Sequence, residues 1–178
     1  MKQLFMAVGI SGSGKSTYLK KHFRPEVVIN PDSIRKELAG GVSNHTMEPV
    51  VWATTYKRIR DSLMKNGEAV LDATNVVSKY RTAVLKNYKD IADLETIAIV
   101  FPTDAELSKS RIKKDLDGKV DRSAVPDDVV DRQLQNMKAG YQNIAQQFDK
   151  VIIVEQKMLL TNLLLEIKHG QAKNLLKK

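Results

Sequence analysis

The chain has 178 residues, of which 42% are hydrophobic, which is enough for one core and short for two. Its formal net charge of +8 favours an anionic partner. The absence of cysteine excludes a disulfide framework and a thiolate metal site. The apolar N-terminal run is too short for a signal peptide or a membrane span. We therefore expect one domain over residues 1–178, in the cytoplasm and not in a membrane.

The first predicted element is a strand over residues 4–8, which runs directly into GISGSGKST at residues 9–17. This turn matches the P-loop spacing G-x-x-x-x-G-K-[ST], and a helix over residues 15–23 follows as the motif requires. In a P-loop, backbone N–H groups and the lysine bind phosphate, and the serine hydroxyl ligates Mg²⁺. We therefore predict a site for Mg²⁺ with ATP or another NTP. The expected nucleotide contacts are Gly9, Ser11, Gly12, Ser13, Gly14, Lys15, Ser16 and Thr17.

A second short strand is predicted over residues 26–29, and the helix after it continues to Gly40. Asp32 then lies at the carboxyl end of a strand, where α/β sheets bind ligands. Phosphoryl transfer to a hydroxyl benefits from a carboxylate that accepts the proton, so Asp32 is the predicted general base. Arg35, one turn later, is predicted to hold an anionic group of the acceptor. The alternative is that Asp32 caps the helix and Arg35 is its surface ion-pair partner.

The next predicted helix covers residues 47–66, and one of its faces carries Trp52, Tyr56, Ile59 and Leu63. Trp52 and Tyr56 have rings that stack on nucleobases, but a stripe at this spacing is more often part of a core. We therefore predict that the stripe packs against the sheet.

A third strand over residues 69–72 ends in Asp72, and Ala73 follows it. Asp72 is predicted to hold Mg²⁺ together with Ser16, or to support the acceptor; the alternative is a strand-end cap. ATPase motors usually carry a catalytic glutamate at the position of Ala73. Transfer to a bound hydroxyl is therefore favoured over activation of water.

The rest of the chain alternates helices and strands. Helices are predicted over residues 78–90 and 104–114, from Pro126 onward, and as a basic C-terminal helix over residues 157–178. The fourth strand, over residues 96–101, is continuously apolar as in the centre of a parallel sheet, and a fifth covers residues 150–155. This order predicts an α/β fold with a doubly wound, parallel, five-stranded sheet.

The charged segment 111–125 contains few apolar residues, and from Asp115 onward we predict irregular structure. We expect this segment to form a mobile lid, in which an arginine closes over the triphosphate and offsets charge that develops during transfer. The alternative is a solvated loop whose charges only aid solubility.

Together, GISGSGKST, Asn30-x-Asp32-x-x-Arg35, the turn from Asp72 to Asn75, the helix around Arg111 and the stretch RSAVP at residues 122–126 resemble the 5′-kinase domain of bacteriophage polynucleotide kinases. The similarity extends to about residue 150. It implies a P-loop kinase fold, with Asp32 as general base and Lys15 and Arg111 as further catalytic residues. It also implies that Arg35, Asp72 and Asn75 contact the acceptor, and that Lys114, Lys119 or Arg122 is a second lid cation on the nucleotide.

The leading hypothesis is therefore a kinase that transfers the γ-phosphate of ATP or another NTP to 5′-hydroxyl ends of DNA or RNA, as in nucleic-acid repair. One alternative is a P-loop kinase acting on a nucleoside, nucleotide or sugar. The other is a non-catalytic module that binds nucleic acid in a nucleotide-dependent way.

Overall fold

A computed structural model describes residues 1–41, 44–118, 120 and 124–154. The described strands form one sheet in the order β2-β3-β1-β4-β5, and every neighbouring pair is parallel. Their bounds are β1 (Lys2–Val8), β2 (Val28–Ile29), β3 (Glu68–Leu71), β4 (Leu94–Val100) and β5 (Lys150–Ile153). The predicted fold class, an α/β fold of the P-loop kinase type with five parallel strands, is confirmed.

Helices connect the strands, as parallel pairing requires. Their bounds are α1 (Lys15–His22), α2 (Pro31–Ala39), α3 (Glu48–Asn66), α4 (Ser78–Lys86), α5 (Ala105–Asp117), α6 (Asp127–Gly140) and α7 (Ile144–Gln147). Side chains cap two of them. Asn30 accepts the Ser33 N–H at 3.0 Å at the start of α2, and Asp104 accepts the Leu107 N–H at 2.7 Å at the start of α5.

The core consists of two apolar clusters to which β1 contributes alternate residues. One contains Leu4 and Met6, and the other contains Phe5 and Ala7. Side chains of successive strand residues point to opposite faces, so both faces of β1 are covered. Within the described ranges, no helix is both long and apolar enough to cross a membrane.

Several predicted boundaries were wrong. A 3-10 turn over Pro25–Val27 replaces the first half of the second strand, because Pro25 begins the turn and the Val27 N–H bonds to the Arg24 carbonyl at 3.2 Å. Helix α4 ends at Lys86, where the Asn87 N–H already bonds to the Val84 carbonyl in a tighter turn. Helix α5 continues to Asp117, although irregular structure was predicted from Asp115.

Three residues of the predicted stripe on α3 pack in the core as predicted, and Trp52 is the exception. Ile59 and Leu63 are fully buried, whereas Trp52 and Tyr56 are only partly buried. The buried face of the helix is rotated toward Val51, Thr55, Ile59, Ser62 and Leu63. The predicted C-terminal helix over residues 157–178 lies outside the described residues.

Candidate active site

The glycine-rich turn has a conformation that only glycine accommodates. Gly12 and Gly14 have φ angles of +78° and +90°. A Cβ on Gly12 would lie 2.6 Å from the Ser108 carbonyl oxygen of α5, and a Cβ on Gly9 would lie 2.8 Å from Ser13 Oγ. The turn is therefore strained by any side chain at Gly12, and it packs directly against α5.

Lys15 lies inside the turn with its side chain buried. Its Nζ donates to the Ile10 carbonyl at 2.8 Å and lies 3.4 Å from Ser13 Oγ. Gly14 is the N-cap of α1 and has no side chain to bond the first-turn N–H groups. Ser16 and Thr17 are exposed in that first turn. The helix N-terminus, the ammonium and the hydroxyls together form the kind of cradle that binds phosphate.

Two helices contact the turn from the other side. Arg111 of α5 donates from Nη1 to the Gly12 carbonyl at 3.3 Å. Gln133 of α6 accepts the Ser11 N–H through Oε1 at 2.8 Å. A salt bridge of 2.8 Å between Lys109 and Asp131 joins the two helices. Gln133 was not predicted from the sequence, because it follows the turn by 122 positions and belongs to no motif.

Asn30 and Asp72 join the carboxyl ends of β2 and β3. Asn30 Nδ2 donates to Asp72 Oδ2 at 3.0 Å, and the Asp72 N–H bonds to the Ile29 carbonyl at 2.9 Å. Asp72 is 6% exposed. The Gly9 N–H bonds to the Thr74 carbonyl at 2.9 Å, so the residues after β3 also contact the start of the P-loop. The predicted Asp72 thus lies between the P-loop and the second strand.

Asp32, Arg35 and Glu48 form a cluster of charges at the same edge of the sheet, here called the acceptor cluster. Arg35 is only 6% exposed and donates from Nη1 to Asp32 and from Nε to Glu48 Oε1 at 2.5 Å. The Asp32 side chain remains 56% exposed. The alternative was wrong in two respects, because Asn30 and not Asp32 is the N-cap and Arg35 is buried. The ion pair between Asp32 and Arg35, which the alternative also predicted, is present.

The charges of this cluster reinforce one another. Burial lowers the pKa of the Arg35 guanidinium, but the hydrogen bonds to Glu48 and Asp32 outweigh burial and raise it above its ordinary value. The hydrogen bond from Arg35 also holds the pKa of the Glu48 carboxyl below its ordinary value. Glu48 was not predicted from the sequence, since a glutamate in the first turn of a helix needs no other explanation than the helix dipole.

Asn75 has a positive φ of +48° and a buried side chain. Its Nδ2 donates to the carbonyls of Ala7 and Ala73 at 2.8 and 3.3 Å. This bond ties the turn after β3 to β1. The amide nitrogen therefore has a structural role, and the predicted contact of Asn75 with the acceptor stays a prediction.

The predicted magnesium ligands are one hydroxyl, of Ser16, and one carboxylate, of Asp72. These hard oxygen donors suit Mg²⁺, which keeps several waters when it is bound beside phosphates. In the described part of the chain, no group of three His, Cys, Asp or Glu side chains could hold a metal ion alone. The donor set therefore fits a Mg²⁺ ion that shares its coordination with a nucleotide.

The predicted lid is described only in part. Arg111 and Lys114 belong to α5, and Lys114 is exposed. Lys119 and Arg122 lie outside the described residues. The lid and the assignment of its second cation to Arg122 stay predictions.

Solved structures with this fold include several kinases. A chain of the Pnkp1/Rnl/Hen1 RNA repair complex is 20% identical with a TM-score of 0.68, over 80% of this chain and 46% of that chain. This chain thus spans about half the length of that protein. A putative kinase from Chloroflexus aurantiacus is 12% identical, with a TM-score of 0.57 over 95% of this chain and 97% of that chain. Shikimate kinase from Acinetobacter baumannii is 14% identical, with a TM-score of 0.52 over 97% and 96%.

These identities show a shared fold and leave the acceptor open. No curated protein matches the sequence. A family model described as an AAA domain matches residues 4–143, from β1 to beyond α6, and so includes the P-loop and the acceptor cluster. The chain therefore belongs to the AAA domain family AAA_33 and has a kinase-like P-loop fold.

Proposed function

We propose that this protein is a polynucleotide kinase, which transfers the γ-phosphate of ATP or another NTP to a 5′-hydroxyl end of DNA or RNA. The acceptor cluster carries this proposal. An exposed carboxylate, Asp32, is held by a buried arginine, Arg35, at the edge of the sheet where the P-loop lies. This pairing provides a proton acceptor and a phosphate-binding cation within one helical turn.

The donor side would bind the triphosphate through the P-loop. The first-turn N–H groups of α1 and the Lys15 ammonium would contact the outer phosphates, and Arg111 would add positive charge from α5. Mg²⁺ held by Ser16 and Asp72 would neutralise phosphate charge when bound. Arg111 already contacts the Gly12 carbonyl, so its guanidinium is close enough to the turn for this role.

The acceptor side would align the alcohol. Asp32 accepts the proton of the 5′-hydroxyl while the hydroxyl oxygen bonds to the γ-phosphorus of the triphosphate. At the same time the bond between the γ-phosphorus and the β–γ bridging oxygen breaks. The products are the 5′-phosphorylated strand and the nucleoside diphosphate. Arg35 holds the phosphate that follows the terminal nucleoside. Glu48 keeps Arg35 in position, and Asp72 keeps Asn30 in position.

Three points favour a nucleic acid over a small acceptor. The net charge of +8 attracts a polyanion, with an affinity that falls as salt rises. Two residues of the acceptor cluster, Asp32 and Arg35, belong to the stretch Asn30-x-Asp32-x-x-Arg35, which resembles a motif of bacteriophage polynucleotide kinases. The Pnkp1 chain with the same fold comes from a complex of RNA repair.

A transfer assay with γ-labelled ATP tests the proposal. Label should appear at the 5′ ends of 5′-hydroxyl oligonucleotides, and a panel of nucleosides, nucleotides and sugars should compete poorly. Asp32→Asn should lower kcat roughly 10²-fold or more without changing the KM for ATP. The matched control is Asp61→Asn, which replaces an exposed carboxylate that pairs with Lys57 on α3. This variant should keep full activity.

Phosphorylation of a small molecule instead of the oligonucleotide would make the protein a small-molecule kinase. If Asp32→Asn keeps the transfer activity of the wild type, Asp32 is not the general base. If the wild type binds ATP and nucleic acid but transfers no phosphate to any acceptor, the protein is a binding module and not a kinase.

A further inference from the structure

Trp52 lies one helical turn after Glu48, a member of the acceptor cluster. It follows Glu48 by four residues on α3, so both side chains lie on one face of the helix in successive turns. Glu48 Oε1 in turn binds Arg35 Nε at 2.5 Å. The indole is therefore one helical turn from the residue that positions the arginine proposed to hold the acceptor phosphate.

Trp52 does not serve the core as a buried aromatic residue usually does. In the described part of the chain, Trp52 packs against neither of the two core clusters, whereas Tyr56 packs against the larger one. The centroids of the two rings are 5.8 Å apart at an interplanar angle of 40°. Tyr56 thus supports one side of an indole that is only partly buried. Core packing leaves the placement of this large ring unexplained.

We propose that Trp52 is the stacking platform for the nucleobase at the 5′ end of the acceptor strand. The inference rests on the proposed function and names the group that the acceptor must carry. Proteins that bind single strands combine phosphate-binding cations with aromatic rings, and stacking accepts every base because each has a π-face. Arg35 and Trp52 provide one of each, and both are linked to Glu48, Arg35 by a hydrogen bond and Trp52 by its place one turn later on α3. The acceptor therefore requires a base but not a particular base.

The fluorescence of the protein reports directly on this contact, because Trp52 is its only tryptophan. A 5′-hydroxyl oligonucleotide should quench the emission in a saturable way. The same oligonucleotide with an abasic 5′-terminal nucleotide should bind more weakly and should quench little. A sugar phosphate without a base should leave the emission unchanged.

Kinetics provide a second, independent readout. Trp52→Ala should raise the KM for the normal oligonucleotide roughly 5- to 100-fold, in line with the effect of removing an aromatic stacking partner. Trp52→Phe should retain most of the affinity. The variant Tyr80→Ala removes an exposed aromatic residue from α4 and should behave as wild type. The KM for ATP should stay the same in all three variants, which also shows that they are folded.

The abasic oligonucleotide separates the two proposals. The KM of the wild type for the abasic strand should equal the KM of Trp52→Ala for the normal strand. The KM of Trp52→Ala for the abasic strand should be no higher than that. If normal and abasic strands have equal KM values and neither quenches, the platform is refuted while the kinase remains. If no oligonucleotide is phosphorylated, the proposed function itself is wrong.

Discussion

Replacing Gly12 by alanine tests the contact between the P-loop and α5. Gly12 has a φ of +78°, and an added Cβ would lie 2.6 Å from the carbonyl oxygen and 3.1 Å from the carbonyl carbon of Ser108. These are backbone atoms of a helix, which no change of rotamer can move aside. The substitution must therefore shift either the turn or α5, which carries Arg111.

The structure offers a control with the same backbone strain and no clash. Gly67 ends α3 with a φ of +73°, and a Cβ added there would have no heavy atom of another segment within 4 Å. Gly67→Ala should cost only the left-handed conformation, about 1 to 2 kcal/mol. Gly12→Ala should carry the same backbone cost, and the clash with Ser108 should add about 1 to 3 kcal/mol. It should therefore lower the free energy of unfolding by about 2 to 5 kcal/mol.

Urea unfolding gives these free energies, and ATP titration of the folded variants gives the effect on the site. Gly67→Ala should leave the ATP affinity unchanged, whereas Gly12→Ala should weaken it at least roughly tenfold because the N–H groups of the turn no longer converge. Equal losses of stability in the two variants, with equal ATP affinity, would show that the turn does not pack against Ser108.

Three further changes address contacts outside the motifs. Gln133→Ala should raise the KM for ATP several-fold, because the Ser11 N–H loses a partner that fixes the turn, and steady-state kinetics measure this. Arg81→Met should destabilise the fold by about 3 kcal/mol or more in urea unfolding, since the buried carbonyls of Asn75 and Val76 lose their donor and that of Gly140 keeps only the Asn143 N–H. Hydrogen bonds from Thr96 hold the pKa of the Asp149 carboxyl below its ordinary value. The resulting stability is present at neutral pH and is lost as the pH falls below about 4. Because solvent screens this exposed carboxylate, Asp149→Ala should lower the free energy of unfolding by only about 0.5 kcal/mol at pH 7 and by less at pH 3, as urea unfolding at the two pH values measures.

Local features explain why much of the fold was predictable from the sequence. Each central strand is a short apolar run that a turn residue ends, and the phosphate contacts predicted for the P-loop come from nine consecutive residues. Asp32 and Arg35 were recognisable as candidates because they are three positions apart on one helix, directly after a strand. The structure places them together, and their roles stay predictions.

Contacts between distant segments were not predictable in the same way. Glu48 binds Arg35 across a connection of 13 positions, and Gln133 binds the P-loop across 122. Neither residue has an unusual sequence context. Arg81 is the clearest case, because a lysine- and arginine-rich helix favours a solvated face, yet this side chain is fully buried among backbone carbonyls. Only the packing of α4 against α6 and α7 explains it.

The two sides of the candidate site are attached to the sheet in different ways. The P-loop follows β1, the central strand, and α5 packs directly against it at Gly12. The acceptor cluster follows β2, an edge strand of two residues, and the bond from Asn30 to Asp72 links that strand end to β3. The acceptor side thus has fewer constraints from the core than the donor side. Under the proposed function, the side chains that contact the acceptor lie on α2 and α3, so substitutions there should change the choice of acceptor and leave the P-loop unaltered.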